Sequence, residues 1–372
     1  MKRLLLVTTS FENGAIPNIL LDLAPYWRNQ GWYCTFLALE PLPEDHDSVV
    51  RCRRLGFALR SLNVGPRSVF RALLRLRRAI RDLKPDLIST HLGRADVYTP
   101  WVKGHVPMIT THHNIRQHHG RLTDFGYRIS DHKVSARTGV SQACNDSFVA
   151  HGFLKTPHSV IFNPVDPKRL VPTRSRAELL REWGWDEPVR LLVTVAWLAT
   201  QKGHADLIEA FCRLKTEGAT DLRLVLAGEG PLRFELEALI AHRGLQGEVR
   251  LLGLYPGVAD LYAAADAFVL PSHWEGLGLV ILEAWCLGCP VGASALPAVK
   301  EFMVDGENGV LFSPSDPAAL AAGISRLLAD PVRARLWATQ GRQLVEARFS
   351  PEGIASQYSE VFDQVLRSSL QP

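Results

Sequence analysis

Glu275-Gly-Leu-Gly-Leu-Val-Ile-Leu-Glu283 sets two carboxylates eight residues apart, separated by two glycines and an apolar run. The preceding Ala267-Phe268-Val269-Leu270-Pro271-Ser272 reads as a buried parallel strand stopped by proline, and Leu279 to Leu287 reads as the helix that follows. Glu275 therefore falls in a strand-to-helix loop. Gly276 and Gly278 let backbone approach a ligand closely, and the helix start offers amide groups to an anion. Glu283 lies in the early helical turns, where a carboxylate can accept sugar hydroxyls. In outline this is a phosphate-plus-sugar site.

Outward from this stretch, strand-like apolar segments alternate with amphipathic helical ones from end to end, the signature of parallel α/β layers. The first half offers strands at Leu4 to Thr8, Tyr33 to Leu39, Leu87 to Thr90, Met108 to Thr111 and Thr138 to Val140. The second half offers Arg190 to Val195, Leu222 to Leu226, Val249 to Leu252, Ala267 to Leu270 and Pro290 to Ala293. Between them Asn163-Pro164-Val165-Asp166-Pro167 reads as a rigid connector. A chain of 372 residues exceeds what one core usually serves. Two Rossmann-like domains facing a central cleft, with ligands at the carboxyl ends of the strands, are expected.

Composition is that of an ordinary globular protein, 47% hydrophobic and 22% charged. Met1 to Val7 is basic then apolar but gives way at once to Thr8-Thr9-Ser10, too short for a signal peptide and better read as a first buried strand. No apolar stretch approaches the length needed to span a bilayer, so a soluble or peripheral cytoplasmic protein is expected. The six cysteines are scattered, which argues for free thiols, and the lone Cys286-x-x-Cys289 pair reads as packing.

Three further strand-to-helix loops carry chemistry. Val195-Ala196-Trp197-Leu198-Ala199-Thr200-Gln201-Lys202-Gly203-His204 precedes a helix from Ala205 to Leu214, and Leu226-Ala227-Gly228-Glu229-Gly230-Pro231-Leu232 forms a glycine-rich turn. Glu12-Asn13-Gly14-Ala15 follows the first strand. Thr110-Thr111-His112-His113-Asn114 ends another strand, with His118 and His119 nearby. Adjacent side chains point apart on a strand, so one metal ion cannot easily use all four histidines. Asp45-His46-Asp47 lies in a proline-bounded loop and reads as a solvated turn. No metal is required by this reading.

The Glu275 to Glu283 stretch, continued by Glu283-Ala284-Trp285-Cys286-Leu287-Gly288-Cys289-Pro290-Val291, closely resembles the Glu-x7-Glu motif of retaining GT-B glycosyltransferases, the glycosyltransferase family 4 group. The resemblance covers nearly the whole chain and is weakest in the first half. It implies an acceptor-binding domain over residues 1–170, a nucleotide-sugar donor domain over 171–350, and a C-terminal helix over 351–372 that crosses back onto the first domain. It further implies a retaining, metal-independent transfer of sugar from a nucleoside diphosphate, UDP most simply, to a hydroxyl acceptor in glycan, polysaccharide or glycolipid synthesis, with no cofactor.

By the same resemblance Glu283 holds ribose hydroxyls, and Lys202 with the backbone of Gly276, Leu277, Gly278, Leu279 and Val280 holds the diphosphate. Glu275 meets a donor-sugar hydroxyl and His112 lies near the reacting carbon, with His113 as close competitor. Gly228 flanks the nucleotide and Gly14 the donor phosphates. Asn13, His91, Arg94 and His113 are placed on the acceptor side. Trp197 departs from the pattern, standing where arginine is expected, and Ala196 stands where glycine is. A planar five-donor fork is replaced by an indole with one donor. A non-catalytic nucleotide-sugar binder and a nucleotide-sugar epimerase on the same fold are therefore the alternatives.

Charge is unevenly spread. Residues 51 to 84 hold ten arginines and one lysine against Asp82 alone, in a protein of net charge +4. Apolar Val69, Phe70, Leu73, Leu74, Leu76, Ile80 and Leu83 recur at helical spacing among Arg71, Arg75, Arg78 and Arg81, as in an interfacial basic helix. Aromatic interleaving and nucleic-acid motifs are missing, so an anionic lipid surface or a lipid-linked, phosphate-bearing acceptor is the expected partner rather than nucleic acid.

Overall fold

A computed structural model of the chain describes residues 1–12, 15–91, 93–116, 121–150, 152 and 156–369, with backbone only for 121–124. It forms two compact units, Met1–Pro164 with Phe349–Pro372, and Val165–Arg348. The division falls inside the Asn163 to Pro167 segment.

The first unit is built on a seven-stranded sheet of β1 (Lys2–Thr8), β2 (Trp32–Ala38), β3 (Ala58–Ser61), β4 (Leu87–His91), β5 (Met108–His112), β6 (Ala136–Gly139) and β7 (His158–Val160). Their spatial order is β3-β2-β1-β4-β5-β6-β7. Every neighbouring pair is parallel, with Leu5 of β1 opposite Thr35 of β2 and Ile88 of β4. The second unit holds β8 (Arg190–Val195), β9 (Leu222–Ala227), β10 (Val249–Gly253), β11 (Ala267–Leu270), β12 (Val291–Ser294) and β13 (Val310–Phe312), in the order β10-β9-β8-β11-β12-β13, again all parallel.

Central strands such as Leu4 to Val7 and Ala267 to Leu270 are buried throughout because helices cover both faces of each sheet. In each sheet the strand order reverses at one seam, between β1 and β4 and between β8 and β11, and the loops leaving the carboxyl ends of these strands diverge there. Those two seams are where a ligand site is expected.

The last helix, Pro351–Ser369, begins with proline at its first turn and buries Ile354, Ala355, Tyr358, Phe362 and Val365 along one face. It belongs to the first unit. Trp27 packs edge-on against Tyr358 with ring centres 5.7 Å apart, and the Trp27 indole donates to the carbonyl of Ala355 at 3.1 Å. No helix among the described residues is long and apolar enough to cross a membrane.

The helix carrying Glu283, Leu279–Cys286, is braced by the helix Pro331–Arg348 through a close contact at Gly341. A Cβ on Gly341 would sit 2.4 Å from the buried Trp285 ring. Gly341→Ala gains about 1 kcal/mol of helix propensity, but displacing a rigid indole in a packed core costs about 1–3 kcal/mol. The expected outcome is a lower urea midpoint. A raised midpoint would show that the two helices slide apart freely.

Candidate active site

The seam between β8 and β11 assembles its side chains through two tightly joined loops. After β8, Gly203 (φ +63°) lies so close to the segment after β11 that a Cβ there would be 2.1 Å from the Pro271 carbonyl oxygen. Gln201 donates to the Trp274 carbonyl at 2.9 Å, and the His273 amide donates to the Gln201 carbonyl at 2.8 Å. The His273 ring meets Asp206 Oδ2 at 2.8 Å.

This seam sets Lys202 Nζ 2.5 Å from Glu275 Oε1, and Ser272 Oγ donates to the same oxygen at 2.7 Å. Glu275 is only 7% exposed. A carboxylate this buried needs charged and polar donors to offset its lost hydration, and both stand on one oxygen. Gly276 and Leu277 continue the loop and are buried. Gly278 (φ +93°) then turns the chain into the helix Leu279–Cys286, whose first-turn amides at Leu279 and Val280 have no intrahelical acceptor. One turn further, Glu283 Oε2 accepts from the Tyr262 hydroxyl at 3.1 Å. Burial, reinforced by the Glu283 charge, holds the Tyr262 proton well above the ordinary tyrosine range.

The neighbouring turn after β9 is equally close-packed. Gly228 and Gly230 have φ of +147° and +157°, and a Cβ on either would lie 1.9 Å and 2.4 Å from the carbonyl oxygens of Ala196 and Leu198. Trp197, between those two residues, is 57% exposed.

In the first unit, His91 closes β4 and is fully buried. Its Nε2 meets Ser89 Oγ at 3.0 Å and its Nδ1 meets His113 Nε2 at 3.0 Å. Burial pushes the His91 ring well below its ordinary range, and His113 down to about 3. His91, expected on the acceptor side, is thus enclosed, with both ring nitrogens bonded within the first unit.

His112 is 3% exposed, stacked on Phe148 with ring centres 3.9 Å apart, and its Nε2 faces Arg137 Nη1 at 3.4 Å. Arg137 is tied in turn to Asp131 at 2.8 Å. The His112 ring is therefore packed in the core, and the half-buried His113 lies one residue beyond β5 with its Nδ1 buried. Arg94 is ion-paired with Glu40. Asn13, Gly14, His118 and His119 lie outside the described residues.

Sequence reading missed Ser272, Tyr262 and Ser89. Ser272, three residues before Glu275, carried a usable local signal; the others carried none. Asp96, which like His91 and Arg94 follows the strand Leu87 to Thr90 and could be read on the acceptor side, is buried and accepts from the Tyr127 hydroxyl at 2.7 Å, and burial raises it to about 6. Asp45-His46-Asp47 leads into a helix rather than a plain turn: His46 caps the helix Asp47–Arg54 by accepting from the Ser48 amide. All six cysteines are free, and burial pushes Cys286 up to about 12.

A parallel six-stranded unit with a lysine, a buried glutamate and a helix start at its seam, alongside a second parallel α/β unit, defines a GT-B glycosyltransferase. Residues 175–344 match the family described as glycosyl transferases group 1, and residues 16–169 match glycosyltransferase family 4. The lipopolysaccharide core biosynthesis glycosyltransferase LpsE of Rhizobium meliloti is 31% identical over 77% of this chain and 78% of its own length. The chain belongs to glycosyltransferase family 4.

The N-acetyl-alpha-D-glucosaminyl L-malate synthase of Bacillus anthracis is 28% identical over 62% of each chain. The match spans 49% of the alpha-D-kanosaminyltransferase of Streptomyces kanamyceticus, so several relatives are matched over less than two thirds of their length. Among solved structures, Anabaena HepE in complex with UDP and glucose superimposes with a TM-score of 0.86 at 21% identity, covering 98% of this chain and all of that one.

His91 and His113 carry a pH prediction. Both are neutral in the folded chain, and His113 falls from 6.5 to about 3, so their contribution is complete above the unfolded value and is lost as pH falls below it. Between pH 6.5 and 5, unfolding takes up protons at both sites, worth at most roughly 1.4 kcal/mol per pH unit for each histidine. Urea denaturation across this window should show stability declining in the native chain and declining less steeply in His113→Asn. Parallel slopes would place the His113 ring in water.

Proposed function

We propose that the chain moves a sugar from a nucleoside diphosphate, UDP in the first instance, to a hydroxyl acceptor, with retention of configuration and without a metal. The observation that carries this reading is the meeting of Lys202, Glu275 and the first turn of helix Leu279–Cys286 at the β8/β11 seam. Negative charge grows on the leaving diphosphate as the glycosidic bond breaks, and a lysine beside fixed backbone dipoles offsets it without reorganisation. Lysine has three donors, so Lys202 can keep Glu275 and still reach a phosphate oxygen.

Glu275 Oε2 is available to a donor-sugar hydroxyl because Ser272 and Lys202 both bond Oε1. Glu283, steadied through one oxygen by Tyr262, is assigned to the ribose hydroxyls. Gly228 is assigned to the nucleotide side and, on resemblance alone, Gly14 to the phosphates. No side chain is assigned as nucleophile; the leaving phosphate takes the acceptor proton. Support for UDP comes from HepE, whose structures are in complex with UDP and with UDP-glucose.

The unit Val165–Arg348 is thus the donor-binding one, and the unit containing the first sheet binds acceptor. In that unit the strand end at His112 and His113 is assigned on resemblance, with Arg94 and, on resemblance alone, Asn13 on the acceptor side. The relatives named for lipopolysaccharide core synthesis favour a glycan or glycolipid acceptor.

Glu275→Gln and Glu283→Gln should remain folded, Glu275→Gln with a lowered urea midpoint because Lys202 loses its partner, and each loses an ionised acceptor, a change of about 1.5–3 kcal/mol. Glu283→Gln should weaken UDP by roughly ten- to a hundredfold in calorimetry, and Glu275→Gln should lower donor hydrolysis and transfer while leaving UDP affinity nearly intact. Full transfer by both purified variants would remove the assignment. Release of isomerised free donor would instead favour the epimerase.

The basic segment gives the acceptor unit its route to a membrane. Arg51 is held by Asp22 at 2.5 Å and Arg75 donates to the Leu62 carbonyl at 2.6 Å, so these two serve packing. Along the helix Val69–Leu83, Arg71, Arg77, Arg78 and Arg81 are exposed beside Leu74 and a 74%-exposed Phe70. Leu74, Arg77, Arg78, Arg81, Lys84 and Lys103 line an open groove of about 880 Å³. Each basic side chain near an anionic leaflet contributes roughly 1 kcal/mol, enough in combination for reversible attachment. Co-sedimentation should require anionic lipid, weaken with salt, and drop in Arg71→Gln/Arg78→Gln/Arg81→Gln. Indifference to anionic vesicles at low salt would end the peripheral-membrane reading.

A further inference from the structure

Trp197 is the large apolar side chain that the site does not yet use. It follows β8 at the seam, five residues before Lys202, and is 57% exposed. By contrast Trp27, Trp32, Trp183, Trp185, Trp285 and Trp337 are all buried. An indole left this exposed gives up most of its packing value, so its place is not explained by the core.

Its backbone, however, is among the most constrained in the unit. The Ala196 amide donates to the Ala227 carbonyl at 3.0 Å, the Leu198 amide to the Glu229 carbonyl at 2.7 Å, and the Leu232 amide returns to the Leu198 carbonyl at 3.0 Å. Gly228 and Gly230 press so closely on Ala196 and Leu198 that neither position admits a Cβ. The residue between these two clamps is held by its backbone while its ring is left exposed. A fixed, open aromatic face costs little ordering entropy when something packs on it.

We infer that Trp197 is a stacking platform for the sugar ring of the donor. A pyranose turns axial C–H groups, with their positive ends outward, to one face, and the indole face carries the negative end of its quadrupole. The same contact suits the site's charge. Lys202 is already paired with Glu275, so the loop binds phosphate through one partly committed cation and the helix start, and the aromatic face adds affinity that acts on the sugar and not on the phosphates. This makes Trp197 a specificity-determining residue: it favours sugars with an uninterrupted apolar face and disfavours those with an axial hydroxyl on that face. The inference rests on the donor-binding reading proposed above.

The test is calorimetry on the full chain with UDP, GDP and ADP and with their hexose conjugates, using Trp197→Phe, Trp197→Ala and Trp197→Arg. Because the side chain is exposed, the urea midpoints should match that of the native protein. Affinity for the bare nucleoside diphosphate should stay within about twofold in the Phe and Ala variants. Affinity for the sugar nucleotide should fall about tenfold in Trp197→Ala, be largely kept in Trp197→Phe, and not be restored in Trp197→Arg. Equal weakening of nucleotide and sugar nucleotide, no change in Trp197→Ala, or tighter sugar nucleotide in Trp197→Arg each overturns the platform while leaving the donor reading standing. Failure of the native protein to bind any of the conjugates overturns the donor reading, and this inference with it.

Discussion

A nearly buried carboxylate that must be neutralised organises the second unit. Glu275 comes from the loop after β11 and Lys202 from the loop after β8, two strands that are neighbours only because the sheet reverses its order there. The ion pair ties the loops across that seam, and the absence of a side chain at Gly203 lets their backbones close to the required distance. Breaking the pair from either side would strand a charge in a poorly hydrated place, and further bonds fix the seam: Gln201 ties the two loops, and His273 is held by Asp206 in the first turn of the helix His204–Thr216. The glycines here supply close approach and unusual dihedrals rather than mobility.

The parts of this architecture that the sequence disclosed are those with strong local causes. The central strands are short apolar runs because both faces are covered, and proline and glycine mark where β11 ends and the next helix begins. The strands that went unread, β3, β7 and β13, are all edge strands of three or four residues with mixed burial, too short for any periodicity to show. The site divides the same way. Lys202, Glu275 and Glu283 sit in punctuated loops or at a helix start, whereas Tyr262 reaches Glu283 from a different helix, 21 residues earlier, and leaves no trace in the motif.

The adjacent histidines show where local pattern stops being sufficient. Alternation on a strand dictates that His112 and His113 point apart, and that much was readable. Which of them turns inward was not, because a parallel sheet has protein on both faces and a buried polar side chain can be satisfied on either. The choice depends on partners distant in sequence: Phe148 and Arg137 receive His112, and His91, held opposite Thr111 by the β4/β5 register, receives His113.

The consequence for chemistry lies in the tautomers. Two neutral imidazoles sharing one hydrogen bond must divide the roles of donor and acceptor, so the proton on His91 Nδ1 and the proton on His113 Nε2 exclude each other. If His91 donates, His113 carries its proton on Nδ1; if His113 donates, His91 must carry its own on Nε2 and direct it at Ser89. A serine hydroxyl can serve as donor or acceptor, so the chain Ser89–His91–His113 satisfies both states without moving a heavy atom. The outer nitrogen of His113 is itself buried, so either tautomer keeps both rings uncharged, which is what burial of the pair demands.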